Sequence, residues 1–79
     1  MSESVELTFG EKAVGLLFNP SADDEVARCK REFAAVIDRM NDWRGISDND
    51  EVKRMCSVAI TEAQTAQMWA VKAITWKYN

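Results

Sequence analysis

The sequence predicts an all-α protein: a short N-terminal helix and a long antiparallel helical hairpin, assembled as a homo-oligomer. Apolar residues recur every three or four positions along two long stretches, which is typical of amphipathic helices. Pro20 and Gly45 divide the chain into three pieces. The chain has only 79 residues, which predicts a single domain, 1–79. Because so small a core is marginal alone, we expect the oligomer to supply stability.

The first piece, which ends at Pro20, predicts a short helix. Thr8 and Glu11 have the T-x-x-E spacing of a capping box, so the helix is expected to begin near Phe9. Asn19 stands directly before Pro20 and should therefore be extended. This dipeptide is expected to end the element.

The second piece predicts a helix over about residues 22–44. Ser21 is a suitable N-cap, and three acidic residues follow where the helix dipole favours negative charge. Gly45 suits the left-handed position that closes a helix. Apolar residues form one face at a spacing of three or four: Val26, Cys29, Phe33, Val36, Ile37 and Met40.

The third piece predicts a helix over about residues 51–76, capped by Asp48, Asn49 or Asp50. Mostly small residues form a seam that another helix can approach closely: Val52, Cys56, Ala59, Ala63, Ala66, Ala70 and Ala73. Larger apolar residues fall on other faces: Met55, Ile60, Met68, Trp69, Val71, Ile74 and Trp76. Such a helix must be buried on more than one side. We expect another subunit to cover the second face, and a crowded three-helix core is the alternative.

The composition argues against several kinds of function. The chain has no His and only two Cys, Cys29 and Cys56, which cannot supply four zinc ligands in the usual way. We expect no metal and no cofactor, and interpret both Cys as buried, reduced thiols of a cytosolic protein. The net charge of −3 argues against a binder of polymeric nucleic acid. The polar N-terminus is unlike a signal peptide, and no apolar run suggests a membrane span.

The sequence contains no catalytic constellation, because a chain without His can form neither a Ser-His nor a Cys-His pair. The informative residues are cations and polar groups beside apolar surface: Lys12, Lys30, Arg31, Arg54, Thr61, Gln64 and Lys72. Each cation alone can be a solvated surface charge. Thr61 and Gln64 lie so close to an apolar stripe that we expect them to face a partner. Together these residue types suit a planar anionic ligand, with apolar faces for a base and cations for phosphate.

The chain resembles the phage anti-CBASS proteins, small helical sponges for cyclic oligonucleotide messengers of a bacterial immune system. The resemblance runs through FGEKAVGL at 9–16, CKREF at 29–33 and RMCSVAITEAQTAQMWAVKA at 54–73. It implies a homohexamer that sequesters cyclic dinucleotides, and in a second kind of pocket cyclic trinucleotides, without cleaving them. It also implies a non-enzymatic protein of the infected host's cytoplasm that blocks activation of the immune effector.

The resemblance further implies which residues form the dinucleotide pocket, between paired subunits. The family's Gly falls on Gly15, and the Lys that meets the phosphate falls on Lys30. The aromatic residue that stacks on a base falls on Leu16, so Phe18 or Phe9 must substitute for it.

Two further groups of residues follow from the same resemblance. The segment 10–20 is interpreted as a lid that lays Lys12 over the ligand. The trinucleotide pocket, where three subunits meet, draws on the polar face around Thr61, with Gln64 one turn later. The family's cation just before this Thr is Ile60 here, so Arg54 would have to reach the site from two turns earlier.

Two other functions are compatible with the sequence. A small protein-interaction module, or a phage structural accessory without a nucleotide ligand, would explain the small-residue seam and the expected exposure of Trp69 and Trp76 equally well. A nuclease or hydrolase of the same messengers is disfavoured, because the chain lacks His and a metal-ligand cluster. Return of intact nucleotide from the protein would separate a sponge from both.

Overall fold

The computed structural model describes residues 6–79, which form three α-helices and a 3₁₀ helix. The helices are α1 (Phe9–Ala13), α2 (Asp24–Ile46) and α3 (Asp50–Ile74), and the 3₁₀ helix is Thr75–Tyr78. The described residues contain no strand. Helices α2 and α3 pack against each other as a hairpin, and α1 packs against α2. The predicted all-α hairpin with a short N-terminal helix is therefore confirmed.

Helix α1 begins as the sequence predicts and ends earlier. Thr8 Oγ1 accepts a hydrogen bond from Glu11 N, and a Glu11 carboxylate oxygen accepts one from Thr8 N, which completes the capping box. The helix ends at Ala13 rather than near Pro20. Gly15 has a φ of +63°, a left-handed conformation that glycine adopts readily and that a helix cannot continue through.

Both predicted ends of α2 are wrong by two residues. The N-cap is Asp23, not Ser21, because the Asp23 carboxylate accepts hydrogen bonds from the backbone N–H groups of Glu25 and Val26. At the other end, Gly45 remains within the helix, which continues to Ile46. The helix closes through an extended residue at 47, without a left-handed glycine.

Helix α3 is capped by Asn49, one of the three candidate residues. The Asn49 side chain accepts hydrogen bonds from Glu51 N and Val52 N at 2.9 and 3.1 Å. The α-helix ends at Ile74, and Thr75 begins the 3₁₀ helix in place of the predicted last turn.

The core lies where α1 and the hairpin meet. It contains Val14, Ala34, Ile37 and Ile60, and Ile37 is completely buried. Ile60 was expected on another face, so that prediction is wrong. Ala66 and Ala73 of the predicted seam are exposed, whereas Gln67 is buried. In the second half of α3, the buried residues therefore no longer coincide with the predicted Ala seam. The two Cys are buried free thiols, as predicted.

A close backbone contact fixes α1 against α2. Gly10 N donates a hydrogen bond to Asp38 Oδ1 at 2.6 Å. A Cβ atom at Gly10 would lie 2.1 Å from the Ala34 carbonyl oxygen, which is far inside the closest distance that real Cβ atoms adopt. The two helices can therefore approach this closely only because residue 10 has no side chain.

The chain is flat and leaves much apolar surface exposed. Its extents are 44 × 38 × 12 Å, and the smallest is close to the diameter of one helix, about 10 Å. A single layer of helices cannot cover both sides of α3. The exposed large apolar residues include Trp43, Ile46, Met55, Val58, Met68, Trp69 and Trp76.

Candidate functional site: a lysine pocket

The turn after α1 is built around Gly15. Its left-handed backbone reverses the chain, and Phe18 N donates a hydrogen bond to Gly15 O at 2.9 Å. The turn leaves the carbonyl oxygens of residues 15 and 18 directed at the same side chain of α2, which is Lys30.

Lys30 is the buried cation of the described structure. It is 5% exposed, and its Nζ donates hydrogen bonds to Gly15 O, at 3.0 Å, and to Phe18 O. Nζ also lies 5.6 Å from the centre of the Phe18 ring, within the range of a cation–π contact. Burial lowers the pKa of Lys30, because desolvation disfavours the charged form. An ammonium has three N–H donors, so one donor remains for a further acceptor.

A pocket of about 490 Å³ lies beside this ammonium group. Its volume falls within the range of small-molecule sites, about 300–1,000 Å³. Two aromatic residues contribute to its lining, Phe18 from the turn and Tyr78 from the 3₁₀ helix. The other lining residues come from the 19–21 loop, α2 and the end of α3: Asn19, Pro20, Ser21, Val26, Lys30, Val71 and Thr75. The arrangement combines apolar walls with one cation, which suits a planar ligand that carries negative charge.

The 3₁₀ helix is held to the pocket by Asp23. Tyr78 Oη donates a hydrogen bond to Asp23 Oδ2 at 2.6 Å, and Lys77 Nζ lies 3.2 Å from the same oxygen. The hydrogen bonds from Tyr78 and Lys77 lower the pKa of Asp23 to about 2. Conversely, the hydrogen bonds with Asp23 raise the pKa of Tyr78 and of Lys77. We call these three residues the Asp23 clasp.

The loop between the turn and α2 is also fixed by hydrogen bonds. The Asn19 side chain donates to Asp23 O at 2.9 Å and accepts from Asp23 N at 3.2 Å. Ala22 has a φ of +52°, a left-handed conformation that costs a non-glycine residue about 1–2 kcal/mol. The surrounding contacts therefore hold the pocket rim in a strained conformation.

The structure brings together three of the residues expected for the dinucleotide pocket: Gly15, Phe18 and Lys30. Of the two aromatic substitutes, Phe18 is the one that lines the pocket, and its stacking role stays a prediction. Leu16 is half-buried and packs against the core instead. Phe9 lies with its ring 5.7 Å from the Arg44 guanidinium, near the far end of α2.

Lys12 lies in the last turn of α1 and is exposed. It does not line the pocket, so within one chain the segment 10–20 does not place this cation over it. The part of the segment that forms the rim is its second half, around residues 18–20.

The residues expected for the trinucleotide pocket all lie on α3. The Arg54 guanidinium contacts the Glu51 carboxylate at 2.8 and 2.9 Å. Thr61 is exposed, and Gln64 Nε2 donates to Ala13 O at 3.3 Å, which ties α3 to the end of α1. None of the three lines the pocket beside Lys30.

Sequence reasoning missed the contribution of the 3₁₀ helix and of Asp23. Asp23 and Tyr78 are 55 positions apart, so no local spacing relates them. Asp23 was recognised only as one of three acids near the start of α2. Its neighbours in the first turn are exposed, whereas Asp23 is buried, and only the folded structure distinguishes them.

Residues 6–79 contain no group of three or more His, Cys, Asp or Glu side chains placed to hold a metal ion. Over the same residues, no helix is long and apolar enough to cross a membrane.

The fold and the site define a flat helical hairpin that contains a cation-bearing, aromatic-lined pocket. The family model of the Acb2/Tad1 hairpin domain matches residues 11–75, which is most of the chain. The chain therefore belongs to this family, which is known for anti-CBASS cyclic oligonucleotide sponge proteins. No curated protein and no solved structure matches the chain.

Proposed function

We propose that this chain binds cyclic dinucleotides in the pocket beside Lys30 and sequesters them without cleaving them. It would be a phage protein that acts in the cytoplasm of the infected bacterium. There it would lower the free concentration of the messenger that activates the CBASS effector. The proposal is supported by membership of the Acb2/Tad1 hairpin family and by the chemistry of the pocket.

The observation that carries the proposal is the buried ammonium group of Lys30 at an aromatic-lined pocket. The chain has a net charge of −3, so an anionic ligand needs a local cation to bind. Lys30 is poorly hydrated, and a phosphate oxygen would replace the missing water as an acceptor for its remaining N–H group. A charge pair in such surroundings is also screened less than one in bulk water.

Binding without turnover agrees with the chemistry of the pocket lining. Hydrolysis of a phosphodiester needs a metal-bound water or a positioned acid and base. The pocket-lining residues supply one ammonium, two aromatic rings, an amide, three hydroxyls and apolar groups. Of these, the Thr75 hydroxyl donates to Val71 O and the Asn19 amide is held by Asp23. We therefore propose that the ligand leaves the protein intact.

The proposal includes assembly into a homo-oligomer, and a hexamer is the state that the resemblance implies. Its support is the exposed apolar surface of a chain only one helix layer thick. Large contiguous apolar surfaces usually mark interfaces. Binding of cyclic trinucleotides is proposed only for the assembled protein, because the resemblance places that pocket where three subunits meet.

The test is a retention assay. The purified protein is incubated with a panel of cyclic di- and trinucleotides, free nucleotide is removed by filtration, and the retained fraction is heated and analysed by chromatography. We expect intact cyclic dinucleotide after heating. If no nucleotide of the panel is retained, the proposal is wrong, and the appearance of linear product would show an enzyme.

The variant that tests the site is Lys30→Met, which keeps an apolar stem and removes the charge. Loss of a buried charge-assisted contact is expected to weaken binding by roughly 30-fold or more. The matched control is Lys72→Met, because Lys72 is exposed and does not line the pocket. Lys30 also holds the turn at residues 15–18, so thermal melting of both variants must accompany the binding measurement. Unchanged affinity in Lys30→Met would exclude Lys30 from the site.

A second candidate is a protein-interaction or phage structural accessory module without a nucleotide ligand. It is favoured by the exposed apolar side chains of α3, above all Met68, Trp69 and Trp76. It predicts a stable assembly with itself or another protein that retains none of the nucleotides. The retention assay and light scattering together separate the two candidates.

A further inference from the structure

Tyr78 belongs both to the pocket and to the Asp23 clasp. Its side chain lines the pocket together with Phe18 and Lys30. Its hydroxyl group donates to Asp23 Oδ2, and more than half of the residue remains exposed. A ring that is this exposed buries little apolar area and so contributes little to the core.

The anchor fixes the orientation of the ring. Asp23 is itself immobilised, since its Oδ1 caps α2 by accepting from Glu25 N and Val26 N. Its other oxygen, Oδ2, holds Tyr78 and Lys77. A tyrosine side chain has only two rotatable bonds before the hydroxyl group, so one strong hydrogen bond at its tip restricts the whole ring.

The hydrogen bond also determines what the ring offers to a ligand. The hydroxyl proton is used by Asp23, so Tyr78 presents an apolar π-face rather than a donor to the pocket. Phe18 also lines the pocket and contacts the Lys30 ammonium. The pocket thus has one aromatic residue from the turn after α1 and one from the 3₁₀ helix.

We propose that Tyr78 is a ligand-binding residue that stacks on a heterocyclic base, and that Asp23 is the positioning residue that orients it. This inference rests on the proposed function, because it names a residue of the same site. It assigns the base-stacking role to two aromatic residues, Phe18 and Tyr78, rather than to the N-terminal segment alone. The 3₁₀ helix that follows α3 then contributes a ligand-binding residue to the site.

The composition of the chain permits a direct test, because Tyr78 is its only tyrosine. Protein with ¹³C-labelled tyrosine gives one set of ring resonances, which can be followed during titration with cyclic di-AMP or cyclic GMP–AMP. A base stacked on the ring is expected to shift these resonances upfield through its ring current. The Lys30→Met variant, at the same nucleotide concentrations, is expected to show the shift strongly reduced.

Substitutions supply the second readout. Tyr78→Leu keeps apolar bulk without a π-face and is expected to weaken binding about tenfold or more, as for loss of one stacking aromatic. Tyr78→Phe keeps the ring and loses the hydrogen bond that anchors it. Asp23→Asn keeps the ring and weakens this hydrogen bond. Each variant is therefore expected to lose less affinity than Tyr78→Leu. Trp76→Leu, in the same 3₁₀ helix and outside the pocket lining, is the matched control and is expected to stay within twofold.

The outcomes separate the two proposals. If the unmodified protein retains no cyclic nucleotide, the proposed function fails and this inference fails with it. If binding depends on Lys30 but the Tyr78 resonances do not move and Tyr78→Leu binds normally, only this inference is overturned. Should Tyr78→Leu not fold, the resonances of the unmodified protein and the affinity of Tyr78→Phe still decide the question.

Discussion

Two surfaces of the hairpin differ in how far contacts within one chain cover their side chains. One surface carries the N-terminal segment, and the other, which we call the outer face of α3, carries Met68 and Trp69. On the N-terminal side, polar groups are paired across elements: Gly10 N with Asp38, Lys30 with two carbonyl oxygens, and Asp23 with Tyr78. Across residues 6–79, no buried side-chain nitrogen or oxygen lacks a hydrogen-bond partner. The outer face of α3 instead exposes Met68 and Trp69 to solvent.

This difference shows which part of the molecule has its contacts made within a single chain. Hydrogen bonds are directional, so the paired groups hold the N-terminal segment in one position. The hydrophobic effect is not directional, so an exposed apolar face requires a cover without specifying its identity. The pocket can therefore be described from one chain, whereas the outer face acquires its meaning only in an assembly.

The largest expected effect comes from placing a charge on the outer face. Trp69→Glu puts a carboxylate where the proposed interface would bury an indole, and an unpaired buried charge costs several kcal/mol. We expect the assembly to dissociate, measured by multi-angle light scattering, while far-UV circular dichroism still reports a helical chain. The control Trp69→Phe keeps an apolar ring and should preserve the assembly. An unchanged molar mass for Trp69→Glu would show that this face is not an interface.

An intermediate effect is expected at the contact between α1 and α2. Gly10→Ala introduces a Cβ that would lie 2.1 Å from Ala34 O, so the helices must separate. We expect a loss of about 1–3 kcal/mol in the free energy of unfolding, typical of overpacking. Gly45→Ala is the matched control, because its Cβ meets no atom within 4 Å and Ala favours a helix by up to about 1 kcal/mol. Urea denaturation measures both variants, and equal stabilities would contradict the close contact.

The smallest effect is expected from titration of the Asp23 clasp. The pKa of Asp23 is lowered to about 2 in the folded chain, from an ordinary value near 3.8, so its ionised form stabilises the fold. This contribution is complete above about pH 4 and is lost as the pH falls towards 2. The pKa of Tyr78 is raised, so its contribution is complete below about pH 10 and is lost as the pH rises further.

Asp23→Asn isolates the acid part of this effect, because Asn also caps helices well. The difference in melting temperature between the parent chain and Asp23→Asn is expected to shrink between pH 5 and pH 2. Effects of pH that the two proteins share cancel in this difference. A difference that stays constant over this range would show that the Asp23 charge does not contribute.

Part of the site could be predicted from the sequence. The resemblance assigned Gly15 and Lys30 to one pocket, and Lys30 Nζ donates a hydrogen bond to Gly15 O in the structure, while their role in binding stays a prediction. Phe18 was one of two aromatic substitutes that the resemblance left open. Phe9 was the other, and it lies beside Arg44 because the segment runs antiparallel to α2. The roles of Arg54, Thr61 and Gln64 could not be tested within one chain, because their expected pocket needs three subunits.

The sequence by itself determined the elements. The capping box at Thr8, the cap at Asn49 and the two amphipathic stretches are local signals, and they act within one or two helical turns. The prediction failed at Ser21, because Asp23 two positions later is also a good N-cap residue and makes the capping hydrogen bonds. It failed at Gly45 as well, because the helix continues through this residue to Ile46.

Only the tertiary structure determined which residues form the pocket. Lys30 is one of ten basic residues in the sequence, and it is distinguished by two carbonyl oxygens from a turn that precedes it by more than ten positions. Asp23 and Tyr78 meet because the hairpin returns the end of α3 to the start of α2. Local propensity sets each helix independently, whereas burial and hydrogen bonding between distant segments arise only when the helices pack.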